Sequence, residues 1–141
     1  SFSGEVVKTW SVIASYAYLN GVLTNPLDKS GGVTVNGNQP SLTPRHSGSL
    51  WIKHDLPEGF YVAGGIRAEG ARFASQYNVT TLPGYMTVDL GAGYRSKHVD
   101  VTLNLQNLFN RAYYVSGHGG AENYNMPGAP RTALLGVRYK L

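Results

Sequence analysis

The sequence contains no cysteine, so a disulfide framework, a thiolate metal site and a cysteine nucleophile are all excluded. It is also poor in charge: 14% of its residues are Asp, Glu, Lys or Arg, against about 25% in a typical soluble domain. The formal net charge of +4 is scattered along the chain, which leaves no nucleic-acid footprint and at most a mild attraction to anionic ligands or lipopolysaccharide. Long hydrophobic runs are missing as well. No segment approaches the roughly 20 consecutive apolar residues of a membrane helix, and the N-terminus lacks a charged region followed by an apolar one. If the chain enters a membrane it does so as strands, with its export signal elsewhere.

Residue constellations that carry chemistry are equally scarce. His46, His54, His98 and His118 are dispersed and form no i, i+2 or HExxH-like pair with a third ligand nearby. There is no G-x-S-x-G elbow, phosphate loop or paired-carboxylate arrangement, and Gly117-His118-Gly119-Gly120 falls in an expected loop. The expectation is a non-enzyme with neither metal nor cofactor.

What the chain has in plenty is glycine, with 18 residues, and tyrosine, with 10. That mixture points to an all-β protein with many turns and aromatic surface positions. Alternation at period two, which puts every second side chain on one face of a strand, recurs in six segments. In Val99–Gln106 the residues Val99, Val101, Leu103 and Leu105 oppose Asp100, Thr102, Asn104 and Gln106. Gly84–Arg95 and the segment from Thr132 to Leu141 repeat the scheme, with Leu134 as an exception. Between Phe60 and Phe73, Arg67 and Glu69 share a face, which suits a wet interior better than a dry core. Trp10–Leu19 and His46–Asp55 are fainter, because Ile13 and Leu19 oppose Val12 and Ala14, and Trp51 opposes Leu50 and Ile52.

The connections alternate between long and short. Leu56-Pro57-Glu58 and Ser96-Lys97 are short; Thr24 to Pro44, Ala74 to Pro83 and Arg111 to Ala129 are long. Outer-membrane barrels pair short periplasmic turns with long extracellular loops, so the long connections are expected outside the cell. Trp10, Tyr61, Tyr85, Tyr94, Tyr113, Tyr114 and Tyr139 are then expected to form the interfacial aromatic girdles. Six strands with a stub before Thr9 make an open sheet. An open edge in hydrocarbon leaves backbone groups unpaired, so further chain or further copies must complete the wall.

The run Asn104-Leu105-Gln106-Asn107-Leu108-Phe109-Asn110-Arg111-Ala112-Tyr113-Tyr114, followed by Pro127-Gly128-Ala129-Pro130-Arg131-Thr132, resembles the last hairpin of TonB-dependent siderophore receptors of the ferrichrome and hydroxamate type. Leu82-Pro83-Gly84-Tyr85 and Pro44-Arg45-His46 resemble that family too. The resemblance implies the C-terminal part of an antiparallel transmembrane β-barrel of about 22 strands, with the plug domain and earlier strands absent from residues 1–141. It also implies an outer-membrane transporter that binds a ferric siderophore at its outer surface and is energised through TonB, which acts on the missing N-terminal part.

Within that frame Asn107, Leu108, Phe109, Tyr113, Pro127, Gly128, Pro130 and Arg131 are barrel-closing residues. Asn107 and Asn110 suit strand termination better than ligand contact. Arg67, Glu69, Asp89, Arg95 and Arg138 are lumen charges, and Tyr77, Tyr114, His118 and Tyr124 are candidate ligand contacts through ring packing and hydrogen bonding. Tyr139 and Leu141 resemble the terminal signal read by the barrel assembly machinery, with leucine where the family usually has an aromatic residue. Two other readings are a small autonomous barrel or adhesin, with an extra hairpin through Val33-Thr34-Val35, and a soluble carbohydrate-binding β-sandwich using Trp51 and the tyrosines.

Overall fold

The computed structural model describes residues 2–24, 29–30, 33–118 and 124–141. Seven strands form one antiparallel sheet in the order β1-β2-β5-β6-β9-β10-β13. They are β1 (Phe2–Val7), β2 (Trp10–Tyr18), β5 (His46–Asp55), β6 (Phe60–Glu69), β9 (Tyr85–Arg95), β10 (Val99–Gln106) and β13 (Thr132–Tyr139). The stub before Thr9 is thus a full partner of β2. The other strands are short hairpins off the sheet, one in each long connection: β3 (Lys29–Ser30) with β4 (Val33–Thr34), β7 (Arg72–Phe73) with β8 (Thr81–Leu82), and β11 (Tyr114–His118) with β12 (Tyr124–Pro127). Arg72 and Phe73, expected to continue β6, have therefore left the wall. The hairpin foreseen near Val33 exists, but it adds no strand to the main sheet.

The register separates two chemistries. One face carries the row His54–Val62–Ala92–Leu103–Leu135, the row Val12–Ile52–Gly64–Leu90–Leu105–Ala133, and Phe60–Tyr94–Val101–Val137. This face is bare: Leu135 is 71% and Val137 69% exposed, so these side chains do not meet in a shared dry centre. The opposite face carries Ser15–Ser49–Arg67–Thr87 and Arg95–Asp100–Arg138. Strands β5 and β6 have 10 residues each. Ten residues at about 3.3 Å each, tilted by about 40°, rise about 25 Å, the height of the apolar band of an outer-membrane barrel.

The residues that blurred the alternation prove to be coordinated across strands. Ile13, Trp51 and Gly65 are register partners on the polar face, and the Trp51 ring occupies the space a side chain at position 65 would need. Tyr61 covers Gly93 in the same way. Large rings thus lie flat on this face, each over a glycine, an arrangement that stabilises glycine within a sheet. Leu134 is on this face as well, opposite Asn104.

The aromatic girdles form with altered membership. At the short-turn end of the apolar face, Trp10 stacks on His54 with ring centres 4.1 Å apart, and Phe60 packs against Tyr94 at 4.7 Å. Tyr139 shares that face in register with Val99. At the loop end, Tyr16 and Tyr18 flank His46, whose Nδ1 is 2.7 Å from the Tyr16 hydroxyl. Tyr61, Tyr85, Tyr113 and Tyr114 do not belong to these girdles. Tyr61 and Tyr85 fall on the polar face by register, and Tyr113 and Tyr114 lie beyond the wall.

All short connections close at one end and all long ones at the other. The chain's burial is concentrated at the long-loop end. Val35 and Leu82 are each 1% exposed, and Ala74 is buried with them. Loop joins loop through Leu42 N–H to the Phe73 carbonyl (2.8 Å) and the Asn38 side-chain amide to the Gln76 carbonyl (3.0 Å). The Gln39 side chain is held by donating to the Thr43 carbonyl at 2.6 Å and accepting from Arg45 Nε at 3.2 Å. A wall bare on both faces, under a packed cap, needs lipid on one side and water or polypeptide on the other.

Candidate functional site

The cap is tied to the wall through Arg72, a residue that sequence reasoning passed over. Glu69 ends β6 and Tyr85, its register partner, begins β9. Three residues past Glu69 the chain turns back, and Arg72, 3% exposed, donates to Glu69 Oε2 at 2.7 Å. Its other terminal nitrogen donates to the carbonyls of Tyr114 (2.8 Å) and Val115 (3.0 Å). A buried guanidinium is tolerated when a carboxylate and further acceptors satisfy its planar fork. Here the carboxylate comes from the end of β6 and both carbonyls from β11 in the last long connection. The guanidinium also lies 5.5 Å from the Tyr85 ring centre, Tyr85 stacks on Tyr113 at 4.3 Å, and the Tyr113 ring occupies the space a side chain at position 128 would need. Gly128 N–H donates to the Tyr113 carbonyl at 2.7 Å, so a side chain at 128 would collide with the ring.

A second knot closes the last long loop. Asn107, 4% exposed and in the left-handed region at φ 50°, donates from its amide nitrogen to the carbonyls of Arg111 (2.9 Å) and Ala129 (3.0 Å). Its side-chain oxygen accepts from Arg111 N–H at 2.8 Å, and its own N–H donates to Asp89 at 2.8 Å. Asn110, also left-handed at φ 51°, accepts from Arg131 N–H at 2.9 Å. Asparagine tolerates this conformation and supplies side-chain groups where the ladder ends. Leu108 N–H donates to the Val88 carbonyl at 2.8 Å, while Phe109 projects as an exposed side chain. Among the described residues no cluster of three or more His, Asp or Glu is placed to hold a metal ion.

A two-faced strand meander with an anchored loop cap at one end is barrel wall, and comparison with known proteins says which kind. The family model "TonB dependent receptor-like, beta-barrel" matches residues 1–108. The chain belongs to that family. Its relatives are outer-membrane β-barrels of Gram-negative bacteria. It is similar to the probable TonB-dependent siderophore receptor PiuA of Acinetobacter baumannii, with 29% identity over 98% of this chain and 19% of that protein. It is similar also to the catecholate siderophore receptor Fiu of Escherichia coli K12, with 30% identity over 96% of this chain and 18% of Fiu. The crystal structure of PiuA superposes with a TM-score of 0.82 over 96% of this chain and 20% of that one. The chain thus spans about a fifth of the length of these relatives.

The ferrichrome and hydroxamate subtype expected from the closing motifs finds no support, since Fiu is named for catecholates. The hydrogen bonding explains why those motifs say nothing about the chelate. Asn107, Asn110, Gly128 and Arg131 hold backbone to backbone.

Within this receptor wall the lumen-charge candidates all fall on the polar face. Glu69 is taken by Arg72, Asp89 by the Asn107 amide, and Arg95 lies 5.3 Å from the Tyr61 ring centre. Arg67 and Arg138 stand exposed. Pro127 ends β12, and Pro130 lies just before β13, its carbonyl accepting from the Thr132 hydroxyl at 2.9 Å. The ligand candidates are all in the cap. Half-buried Tyr77 is in the second long loop, where its N–H meets the Ser75 hydroxyl at 3.3 Å. Exposed Tyr114 opens β11. The backbones of His118 and Tyr124 are register partners across β11 and β12, and their side chains lie outside the described residues.

Proposed function

We propose that the protein is an outer-membrane receptor that takes up ferric siderophores with energy relayed through TonB, and that residues 1–141 form the C-terminal part of its barrel. One observation carries this reading. The sheet is apolar on the face that would meet outer-membrane lipid and polar on the face that would line a lumen, and all its long loops are bound into a cap at one end. The names of similar proteins, PiuA and Fiu, supply the cargo class. The sheet has two unpaired edges, β1 and β13, so earlier strands would complete the barrel and a plug would fill it. TonB would act through that missing portion.

In this reading Tyr77, Tyr114, His118 and Tyr124 offer phenol and imidazole groups to the organic shell of the chelate at the mouth. Arg72 acts on them indirectly by fixing β11 against the second long loop. The test is uptake of a panel of radiolabelled ferric siderophores by iron-starved cells with and without the gene, and with and without TonB. Loss of one chelate in both deletions is the expected result. Unchanged uptake of the whole panel on gene deletion, or gene-dependent uptake that persists without TonB, would refute the proposal.

A further inference from the structure

A hollow interrupts the apolar face over β6. Gly64 stands there between Ile52 of β5 and Leu90 of β9 in the register, so this row lacks a side chain at its middle. Leu50 and Ile66 bound the hollow towards mid-strand, and Trp10, His54 and Val62 bound it towards the short turns. Its volume is about 470 Å³. An apolar cavity of about 150 Å³ holds one benzene, six carbons, so this space takes on the order of 18 carbons, one hydrocarbon chain. Strands β5, β6 and β9 are interior to the sheet and paired on both sides. The hollow is therefore complete in this chain, and in a closed barrel it faces lipid rather than a plug.

We infer that this hollow holds one acyl chain of a phospholipid from the inner leaflet, with the headgroup at the turn beside Trp10. The inference concerns the outer wall and goes beyond the uptake reading. Depth is the first argument for this occupant. From Leu50 to His54 the hollow follows four residues, about 13 Å of strand. At a tilt of about 40° that is about 10 Å of depth, within one leaflet's share of an apolar band about 25 Å tall. The short turns of such barrels are periplasmic, and the hollow runs from mid-strand towards them. The second argument is its polar lower end. Trp10 stacks on His54 at 4.1 Å, and exposed Lys8 is in the turn that leads into β2. His54 Nδ1 is 3.3 Å from the Thr9 carbonyl. That oxygen can only accept, so Nδ1 carries the hydrogen and Nε2 is left to accept from a headgroup hydroxyl or ammonium. Lys8 supplies a cation for the phosphate. Width is the third argument: a hollow one residue wide admits a single chain, not the broad wall of a second copy. Leaving it empty would forfeit the dispersion contacts of the side chains around it.

The test uses the full-length receptor in detergent, with dipalmitoyl phosphatidylglycerol as the probe and native mass spectrometry to count retained lipids. Gly64→Ile fills the hollow. Ala68→Ile adds the same bulk to the apolar face of the same strand, in register with Gly48 and Met86 and outside the hollow. Lys8→Gln changes an exposed turn and leaves the wall untouched. A Cβ at position 64 would meet the Leu90 side chain at 3.4 Å, an ordinary contact, and a β-branched residue suits a strand. Gly64→Ile should therefore fold, as the heat-modifiable gel shift checks. Wild type and Ala68→Ile should retain one more lipid than Gly64→Ile. Lys8→Gln should bind the probe about fivefold more weakly. Equal retention by wild type and Gly64→Ile overturns the inference. A loss shared by Ala68→Ile also overturns it and makes the lipid a general coat. A Lys8→Gln variant that binds as tightly as wild type overturns the assignment to a phospholipid. A receptor dimer that Gly64→Ile dissolves, with no retained lipid in either, overturns it in favour of a second copy.

Discussion

Leu103 and Thr102 are neighbours on β10 that face opposite ways, so the same charge placed at each should have opposite consequences. Leu103 is in mid-strand between Ala92 and Leu135 on the apolar face. An arginine on the lipid side of a barrel costs about 2–4 kcal/mol at the bilayer midplane, which is about 30-fold to 900-fold in the folding equilibrium. Thr102 lies between Gly93 and Gly136 on the polar face. An arginine there has glycines as register partners, with the Tyr61 ring over Gly93, and a polar face along which to extend, so its cost should stay within about 1 kcal/mol. The assay is reversible denaturant unfolding of the full-length receptor in lipid vesicles, followed by the heat-modifiable shift on gels, for Leu103→Arg and Thr102→Arg. Equal destabilisation by both, or a larger effect at Thr102, would show that the two faces have been assigned wrongly.

Asn107→Ala removes three side-chain hydrogen bonds and puts a non-glycine, non-asparagine residue at φ 50°. It should weaken the last loop by about 2–4 kcal/mol, seen as faster proteolysis between residues 107 and 131 on intact cells. Gly128→Ala should cost about 1–3 kcal/mol by driving a methyl group into Tyr113. That cost should largely vanish in a Tyr113→Ala background, and a double-mutant cycle measures the coupling. Gly65→Val should lift Trp51 off the wall. In a full-length receptor whose other tryptophans are replaced by Phe, its emission should shift to the red and become quenchable by a water-soluble quencher, whereas an unchanged spectrum would show that the ring does not lie on Gly65.

The sheet was legible wherever one strand carried its own evidence. β10 and β13 alternate cleanly, and the expected Val99–Gln106 segment coincides with the strand. β2 and β5 were faint for a reason invisible in one dimension. Ile13 and Trp51 violate the pattern separately, but they are partners across the sheet and share the space above Gly65. The same blindness misassigned Tyr61 and Tyr85 to the girdles, since closeness to a strand end was used without parity. Arg72 escaped notice because, beyond the nearby Glu69 carboxylate, its acceptors are backbone carbonyls 42 and 43 residues away, where no spacing motif signals them. The hairpins within the loops have strands of two to five residues, too short for periodicity to register.

The orientation of the wall can be read directly because the chain contains no cysteine, so single cysteines can be placed in the full-length receptor after removal of any elsewhere. With a fluorophore at position 103, 135 or 137, lipid-borne nitroxide should quench strongly and an aqueous quencher weakly. At positions 102, 104 and 138 the ranking should reverse. Strong lipid quenching at the second set, or no difference between the two sets, would contradict a wall with hydrocarbon on one side and an aqueous lumen on the other.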